Sequence, residues 1–151
     1  MHENEISEII IGRALKVHSK LGPGLLESAY EAPLAYELSK AGLRFERQKP
    51  QPLIYEQVKL DVGYRLDLLV EGKVIVELKS VERVTPAHKK QLLTYLRLTA
   101  LKLGYLLNFG EALMREGITR TINGTLDSEP PCLGASVREK IIEPAAGGNA
   151  E

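Results

Sequence analysis

Asp67 and the segment Glu77-Leu78-Lys79 combine two carboxylates with a lysine on two consecutive strand-like segments, joined by the short turn Glu71-Gly72-Lys73. Carboxylate oxygens are ligands that Mg²⁺ prefers. A nearby lysine could orient or deprotonate a water, or stabilise charge that develops on a phosphate. The residue types therefore indicate a site for a divalent cation and a water. An ordinary surface ion pair, Asp67 with Lys79 or Glu77 with Arg65, would explain the same residues.

The segment from Val58 to Val70 alternates between apolar and polar residues, which predicts a strand with one buried face. The segment 74–79 alternates in the same way. If the apolar faces share one core, the pairs are Val70 with Val74, Leu68 with Val76, and Leu66 with Leu78. This register places Asp67 opposite Glu77, with Cβ atoms about 4.5–5.5 Å apart. Two such carboxylates repel each other, and a bound cation would remove that cost.

Composition limits the class of protein. The chain has 151 residues, of which 44% are hydrophobic and 26% charged, as expected for one globular domain. Its apolar runs are too short to cross a membrane, and residues 1–5 lack the features of a signal peptide. The one cysteine, Cys132, excludes an internal disulfide and a cysteine-based zinc site. We therefore expect a cytoplasmic protein that does not contact a membrane.

Charge is unevenly distributed along a chain whose net charge is zero. Residues 1–126 contain 18 Lys and Arg against 15 Asp and Glu, whereas residues 127–151 contain 2 against 5. The segment between Glu82 and Glu111 contains no acid but includes Lys89 and Lys90. Such a segment could hold a polyanion, since phosphate contacts dominate nucleic-acid affinity. A solvated helix face is the alternative explanation.

Periodicity and turn residues predict an α/β fold with a mixed sheet. The predicted helices cover 4–20, 25–41 with a kink at Pro33, and 86–101 behind the capping residue Thr85. The predicted strands cover 43–48, 53–57, 58–70, 74–79, 103–109 and an edge strand, 118–122. The segment 74–109 should form a parallel crossover. We expect one domain, 1–126, followed by a flexible tail, 127–151, in which a short helix over 137–142 is one option.

Four other features accompany the hairpin, and each has an ordinary structural explanation. Glu27 lies on the first turn of the second helix, where an acid also compensates the helix dipole. Gln91 and Tyr95 lie one turn apart on the third helix, as an exposed polar residue and a core aromatic would. His18 could simply serve as a hydrogen-bonding group. Asn108-Phe109-Gly110 could simply end a strand.

Taken together, Gly24-x-x-Glu27-x-x-Tyr30, Asp67, Glu77-x-Lys79, Gln91-x-x-x-Tyr95 and Asn108-Phe109-Gly110 closely resemble the GxxExxY protein family of the PD-(D/E)xK nuclease superfamily. The resemblance covers residues 4–124. It implies a restriction-endonuclease-like core, in which α-helices flank a central mixed β-sheet. Leu66 stands where the superfamily pattern has proline, a departure that removes no metal ligand.

The resemblance also implies roles for individual residues. Asp67, Glu77, the backbone carbonyl of Leu78, and Glu27 are expected to hold Mg²⁺ or Mn²⁺. Lys79 is the expected catalytic lysine, and Gln91 the helix residue beside the site. Lys89, Lys90, Tyr95, Tyr30 and His18 are candidate substrate contacts. The implied function is a metal-dependent nuclease acting on DNA or RNA.

A second interpretation is a catalytically silent protein that keeps the nuclease fold. Such a protein would bind nucleic acid, a partner or other copies of itself. The neutral net charge and the small size, with no separate DNA-reading domain, favour this alternative. A homo-oligomer is compatible with both interpretations.

Overall fold

Helices and strands follow one another in the computed structural model, in an order close to the one that the periodicity predicts. The structure describes residues 1–126 and the backbone of 138–141. The elements are α1 (Glu3–Leu21), α2 (Glu27–Lys40), β1 (Phe45–Tyr55), β2 (Val58–Val70), β3 (Val74–Lys79), α3 (Pro86–Thr99), β4 (Leu103–Asn108), a 3₁₀ turn (Met114–Gly117), β5 (Ile118–Ile122) and β6 (Arg138–Ile141).

The helix ends follow from local chemistry. The Thr85 hydroxyl accepts a hydrogen bond from the His88 backbone N–H at the start of α3, and Pro86 occupies the first helical position. Gly42 follows the end of α2 with φ +84°, a conformation in which glycine is favoured. These two helices therefore begin and end close to where the sequence predicts.

The strands form one sheet in the order β1-β2-β3-β4-β5-β6. Strands β3 and β4 are parallel, as are β5 and β6, and the other neighbours are antiparallel. One core cluster joins α1 and α2 to one sheet face, and a second joins α3 to the other. This arrangement confirms the predicted α/β class, a mixed sheet flanked by helices.

The hairpin of β1 and β2 differs from its prediction. The two short strands expected at 43–48 and 53–57 form the single strand β1. The outer part of β2 is exposed: Val58, Leu60 and Val62 are 49–58% accessible. The prediction of one buried face along all of β2 is therefore wrong, because neither core cluster includes this part of the hairpin. We call residues 53–62 the arm.

The far side of the sheet also differs. All residues of β5 are buried, and β6 pairs with it in parallel, so β5 is not the predicted edge strand. The short helix predicted over 137–142 is wrong for Arg138–Ile141, which form β6. The rest of the predicted tail, 127–137 and 142–151, lies outside the described residues. Within the described part of the chain, no helix is long and apolar enough to span a membrane.

Candidate active site

The hairpin of β2 and β3 brings Asp67 and Glu77 together. Leu68 pairs with Val76 and Val70 with Val74, as the alternation predicts. The ladder ends there. Beyond it, the Asp67 N–H donates to Glu77 Oε2 at 3.0 Å, and the Leu78 N–H donates to Asp67 Oδ2 at 2.9 Å. Each carboxylate thus accepts a backbone N–H of the facing strand, which locks the two side chains together.

The third predicted pair, Leu66 with Leu78, does not form. Leu66 packs with Leu69 and Ile75 beneath α3, whereas Leu78 lies in the cluster beneath α1 and α2. The alternation of β2 therefore reverses at Asp67. The physical reason is the pair of carboxylate bonds, which replaces the regular ladder at this point.

Burial raises the proton affinity of both acids. Glu77 is 5% exposed, and burial, followed by the negative charge of Asp67, raises the pKa of its carboxyl to about 8. Burial is also the main cause of the raised pKa of Asp67. The Lys79 charge acts in the opposite direction on both acids. Two adjacent carboxylates that resist ionisation suit a bound cation, which would stabilise their charged forms.

Lys79 ends β3 beside the two acids and is half-buried. It pairs with Asn108 across the parallel ladder, and the Phe109 N–H donates to the Lys79 carbonyl at 2.8 Å. Burial, and then the Lys79 charge, lower the pKa of His88 on the first turn of α3. The positive charge of Lys79 therefore lowers the pKa values of both hairpin acids and of His88 at the start of α3.

Asn108 and Gly110 fix the loop that follows Lys79. The Asn108 side chain is fully buried, accepts from the Val81 N–H at 3.0 Å and donates to the Val81 carbonyl at 2.9 Å. A Cβ at Gly110 would lie 2.3 Å from the Val81 carbonyl oxygen. The Asn108-Phe109-Gly110 segment thus holds this loop and does more than end a strand.

Glu27 connects α2 to the end of β3. Its side chain is exposed, and Oε2 accepts from the Ser80 N–H at 2.9 Å, while the Ser80 hydroxyl donates to the Leu25 carbonyl. Across the residues that the structure describes, no three Asp, Glu, His or Cys side chains are grouped to hold a metal ion. The structure therefore does not gather Glu27 with Asp67 and Glu77 into a three-carboxylate site.

The donor set still fits a hard cation in part. Mg²⁺ is commonly held by one or two carboxylates and keeps several waters. Asp67 and Glu77 provide those two carboxylates, and burial, the main cause of their raised pKa values, disfavours their charged forms unless a cation is bound. The fit rests on this pair alone.

Residues on α3 surround the site on one side. Tyr95 is half-buried and stacks on Tyr64 with ring centroids 4.7 Å apart. Burial, then the charges of Glu77 and Asp67, raise the pKa of the Tyr95 hydroxyl. Gln91 and Lys90 are exposed and Lys89 is half-buried on the same helix. Their role as substrate contacts stays a prediction.

Two predicted substrate contacts do not fit the structure. Tyr30 is fully buried, its hydroxyl donates to the Gly22 carbonyl at 2.6 Å, and its ring stacks on Phe109. His18 is 6% exposed, and its Nε2 lies 2.8 Å from the Glu111 carbonyl oxygen. Both side chains bond inside the protein, which explains their types without a substrate.

Sequence reasoning missed two residues beside the acids. Glu31 is buried on α2, and Gln48 on β1 contacts both Glu31 and Asp67. The spacing of four residues from Glu27 could have placed Glu31 on the same helix face. No sequence signal distinguishes Gln48, which is the last residue of a predicted strand.

Most of the chain is similar to a known protein family. A family model described as the PD-(D/E)XK nuclease superfamily matches residues 4–121. No curated protein and no solved structure matches the chain.

Proposed function

Because the chain belongs to the PD-(D/E)XK nuclease superfamily, we propose that it is a divalent-metal-dependent nuclease that hydrolyses phosphodiester bonds in DNA or RNA. The observation that carries the proposal is the interlocked pair Asp67–Glu77 with the Lys79 charge acting on both. The motif spacing further supports a place in the GxxExxY branch. In this proposal residues 1–126 form the nuclease-like domain, 127–151 form a tail that adds β6 to the sheet, and the protein acts in the cytoplasm.

Asp67 and Glu77, with the Leu78 backbone carbonyl, would hold Mg²⁺ or Mn²⁺. When bound, the ion would supply Lewis acidity to the phosphate and the attacking water. Lys79 would orient or deprotonate that water, or donate to the phosphate oxygen on which charge develops. Glu27 would act from the start of α2, through the Ser80 backbone that it holds and as a ligand only after a shift of its side chain.

The substrate would extend along α3. Gln91 and Lys90 are exposed there, Lys89 is half-buried, and the charges of both acids raise the pKa of Tyr95. Lysines supply charge to phosphates, and an aromatic face can stack on a base. We assign these four side chains to substrate binding.

The test compares single variants at the acids and the lysine. Asp67→Ala, Glu77→Ala and Lys79→Ala should each lower metal-dependent cleavage by at least about 100-fold, because each removes charge complementarity at the reacting phosphate. Cleavage is measured on single-stranded, double-stranded and branched DNA and on RNA, with Mg²⁺ or Mn²⁺. Glu8→Gln, an exposed change on α1, is the matched control. Cleavage that survives Glu77→Ala would refute the assignment.

A second candidate function is assembly without catalysis. The specific observation in its favour is the arm, one face of which exposes Tyr55, Val58, Leu60 and Val62. A large exposed apolar patch commonly marks an interaction site. This candidate predicts a mass that rises with protein concentration and no turnover on the whole substrate panel. Turnover that disappears in Asp67→Ala would exclude it.

A further inference from the structure

We propose that Gln48 is a positioning residue for the Asp67 carboxylate, and that the buried carboxylate of Glu31 holds Gln48 in place. The proposal rests on the proposed role of Asp67 as a metal ligand. It adds to that role a chain of hydrogen bonds that runs from Glu31 on α2 through Gln48 on β1 to Asp67 on β2. No part of it depends on Glu27 or on α3.

One amide nitrogen joins the two acids. Gln48 Nε2 donates to Glu31 Oε1 at 2.7 Å and to Asp67 Oδ1 at 3.2 Å. A primary amide nitrogen carries two hydrogens, so both bonds can form at once. A side chain that can only accept hydrogen bonds could not bridge two carboxylates. The bridge therefore requires an amide or another double donor at this position.

The backbone of β1 is deformed at the same residue. Gln48 has φ +48°, in the left-handed region that residues with a Cβ rarely adopt. Its neighbours keep regular pairs, Arg47 with Leu68 and Lys49 with Leu66, but Gln48 and Asp67 are not paired across the ladder. Unfavourable backbone angles persist where the surroundings enforce them and are frequent at functional sites. Here the deformation coincides with the strand position that faces Asp67.

Glu31 is the fixed end of this support. It is 7% exposed, and both of its oxygens accept: Oε1 from Gln48, and Oε2 from Arg47 Nε at 2.9 Å. A buried carboxylate is retained when it is paired and hydrogen-bonded. The Arg47 bond therefore keeps Glu31 oriented, and Glu31 in turn orients the Gln48 amide.

The result is a carboxylate held at both ends. Asp67 Oδ1 accepts from Gln48 and Oδ2 accepts from the Leu78 N–H. Each oxygen has a second lone pair, so a cation can still bind. Fixing the carboxylate before the cation arrives reduces the ordering that binding requires. Loss of an outer partner of a metal ligand typically weakens metal binding by about 10–100-fold.

The experiment measures Mn²⁺ affinity directly, by calorimetry and by electron paramagnetic resonance, beside thermal unfolding. Gln48→Gly removes the amide and allows the left-handed backbone, so we expect about 10–100-fold weaker Mn²⁺ binding without loss of the fold. Gln48→Met keeps the chain length but donates nothing, and should show the same loss. Cleavage should need correspondingly more metal while its maximal rate changes less.

Glu56→Gly is the matched control. Glu56 also has a positive φ, +52°, but lies at the tip of the arm. This change should leave Mn²⁺ affinity unchanged, which separates positioning from backbone relief. If Gln48 only stabilised the fold, the Gln48 variants would lose stability but would keep the Mn²⁺ affinity of the unaltered protein.

The outcomes separate this proposal from the proposed function. Wild-type affinity in both Gln48 variants, with binding lost in Asp67→Ala, would overturn the positioning role alone. No Mn²⁺ binding by the unaltered protein, or full binding by Asp67→Ala, would overturn both. Weakened binding in both Gln48 variants with an unchanged Glu56→Gly would support the positioning role.

Discussion

At the scale of single residues, burial and a neighbouring charge set the protonation state of Glu77. Its carboxyl is nearly inaccessible and bonds the backbone of the facing strand, yet its pKa is raised to about 8 by burial and by Asp67. Near neutral pH the metal-free protein therefore keeps a proton on this group. In the proposed metal site, a cation would displace that proton, so its affinity should increase as the pH rises towards 8.

We expect the stability of the metal-free protein to fall between about pH 4.5 and 8. In that window the unfolded chain has released the Glu77 proton and the folded chain retains it, so each pH unit costs up to about 1.4 kcal/mol. Above pH 8 this contribution levels off. Glu77→Gln should show a much shallower decline, with a remainder from Asp67. Chemical denaturation in a chelator at several pH values measures both profiles.

Glu8→Gln is the control for this experiment and should follow the unaltered profile, since Glu8 is exposed on α1. Parallel profiles for the unaltered protein and Glu77→Gln would contradict the assignment of a shifted pKa to Glu77.

Tyr30 carries a second prediction at this scale. Its hydroxyl donates to the Gly22 carbonyl and accepts from the Leu25 N–H at 3.1 Å. Tyr30→Phe should therefore cost about 1–3 kcal/mol of unfolding free energy, because two part-buried hydrogen bonds are lost. Tyr36→Phe, at a 62% exposed position, should cost far less. Equal costs, measured by denaturant titration, would argue against the structural role assigned to Tyr30.

At the scale of elements, the loop after β3 requires glycine at position 110, because there is no room for a side chain there. Gly110→Ala would place a methyl group 2.3 Å from the Val81 carbonyl oxygen, and backbone atoms cannot easily move aside. We expect a loss of about 1–3 kcal/mol and weaker Mn²⁺ binding, since this loop continues from Lys79. Thermal unfolding and calorimetry measure the two effects.

Gly12→Ala is the matched glycine change. Gly12 lies inside α1 and is exposed, and a methyl group added there would meet no atom within 4 Å. Alanine should stabilise this helix by about 0.5–1 kcal/mol. A Gly110→Ala protein as stable as Gly12→Ala would show that the loop is not held as described.

At the scale of the whole molecule, the arm should mediate self-association. The pairs Tyr55 with Val58 and Leu53 with Leu60 place four apolar side chains on one face. The charges at 56–65 are two acids and two bases, Glu56, Asp61, Lys59 and Arg65, so two copies of this surface need not repel each other. We expect Leu60→Thr to weaken the dimer by roughly tenfold, because it removes buried apolar area.

Sedimentation over a range of concentrations measures that change. Ile54 pairs with Lys59 on the opposite face, so Ile54→Thr should leave association unchanged. A chain that stays monomeric at high concentration would refute the prediction.

Local patterns in the sequence predict the parts of this fold that depend on neighbouring residues. Alternation in β2 and β3 predicts the correct pairing of Leu68 with Val76, which is enough to bring Asp67 to Glu77. Alternation cannot reveal whether an apolar face is covered, and for that reason the prediction that Val58 and Leu60 belong to the core is wrong.

Contacts among several elements cannot be predicted from local patterns in the sequence. Gln48 reaches Asp67 and Glu31 only because α2, β1 and β2 converge and because one backbone angle is left-handed. Strand β6 escapes prediction because residues 123–137 separate it from its partner β5, and their sequence has no regular pattern. Such features depend on how distant parts of the chain pack against each other.

The hairpin of β1 and β2 has one more consequence. Its base carries Gln48 and Asp67, and its tip carries Tyr55 and Val58, about 20 Å away for seven extended residues. The two strands therefore connect the arm to the position that faces Asp67. Bending would concentrate at the register shift between Gln51 and Leu53. Motion of the arm would therefore be taken up mainly at this point, and the contact between Gln48 and Asp67 at the base would change little.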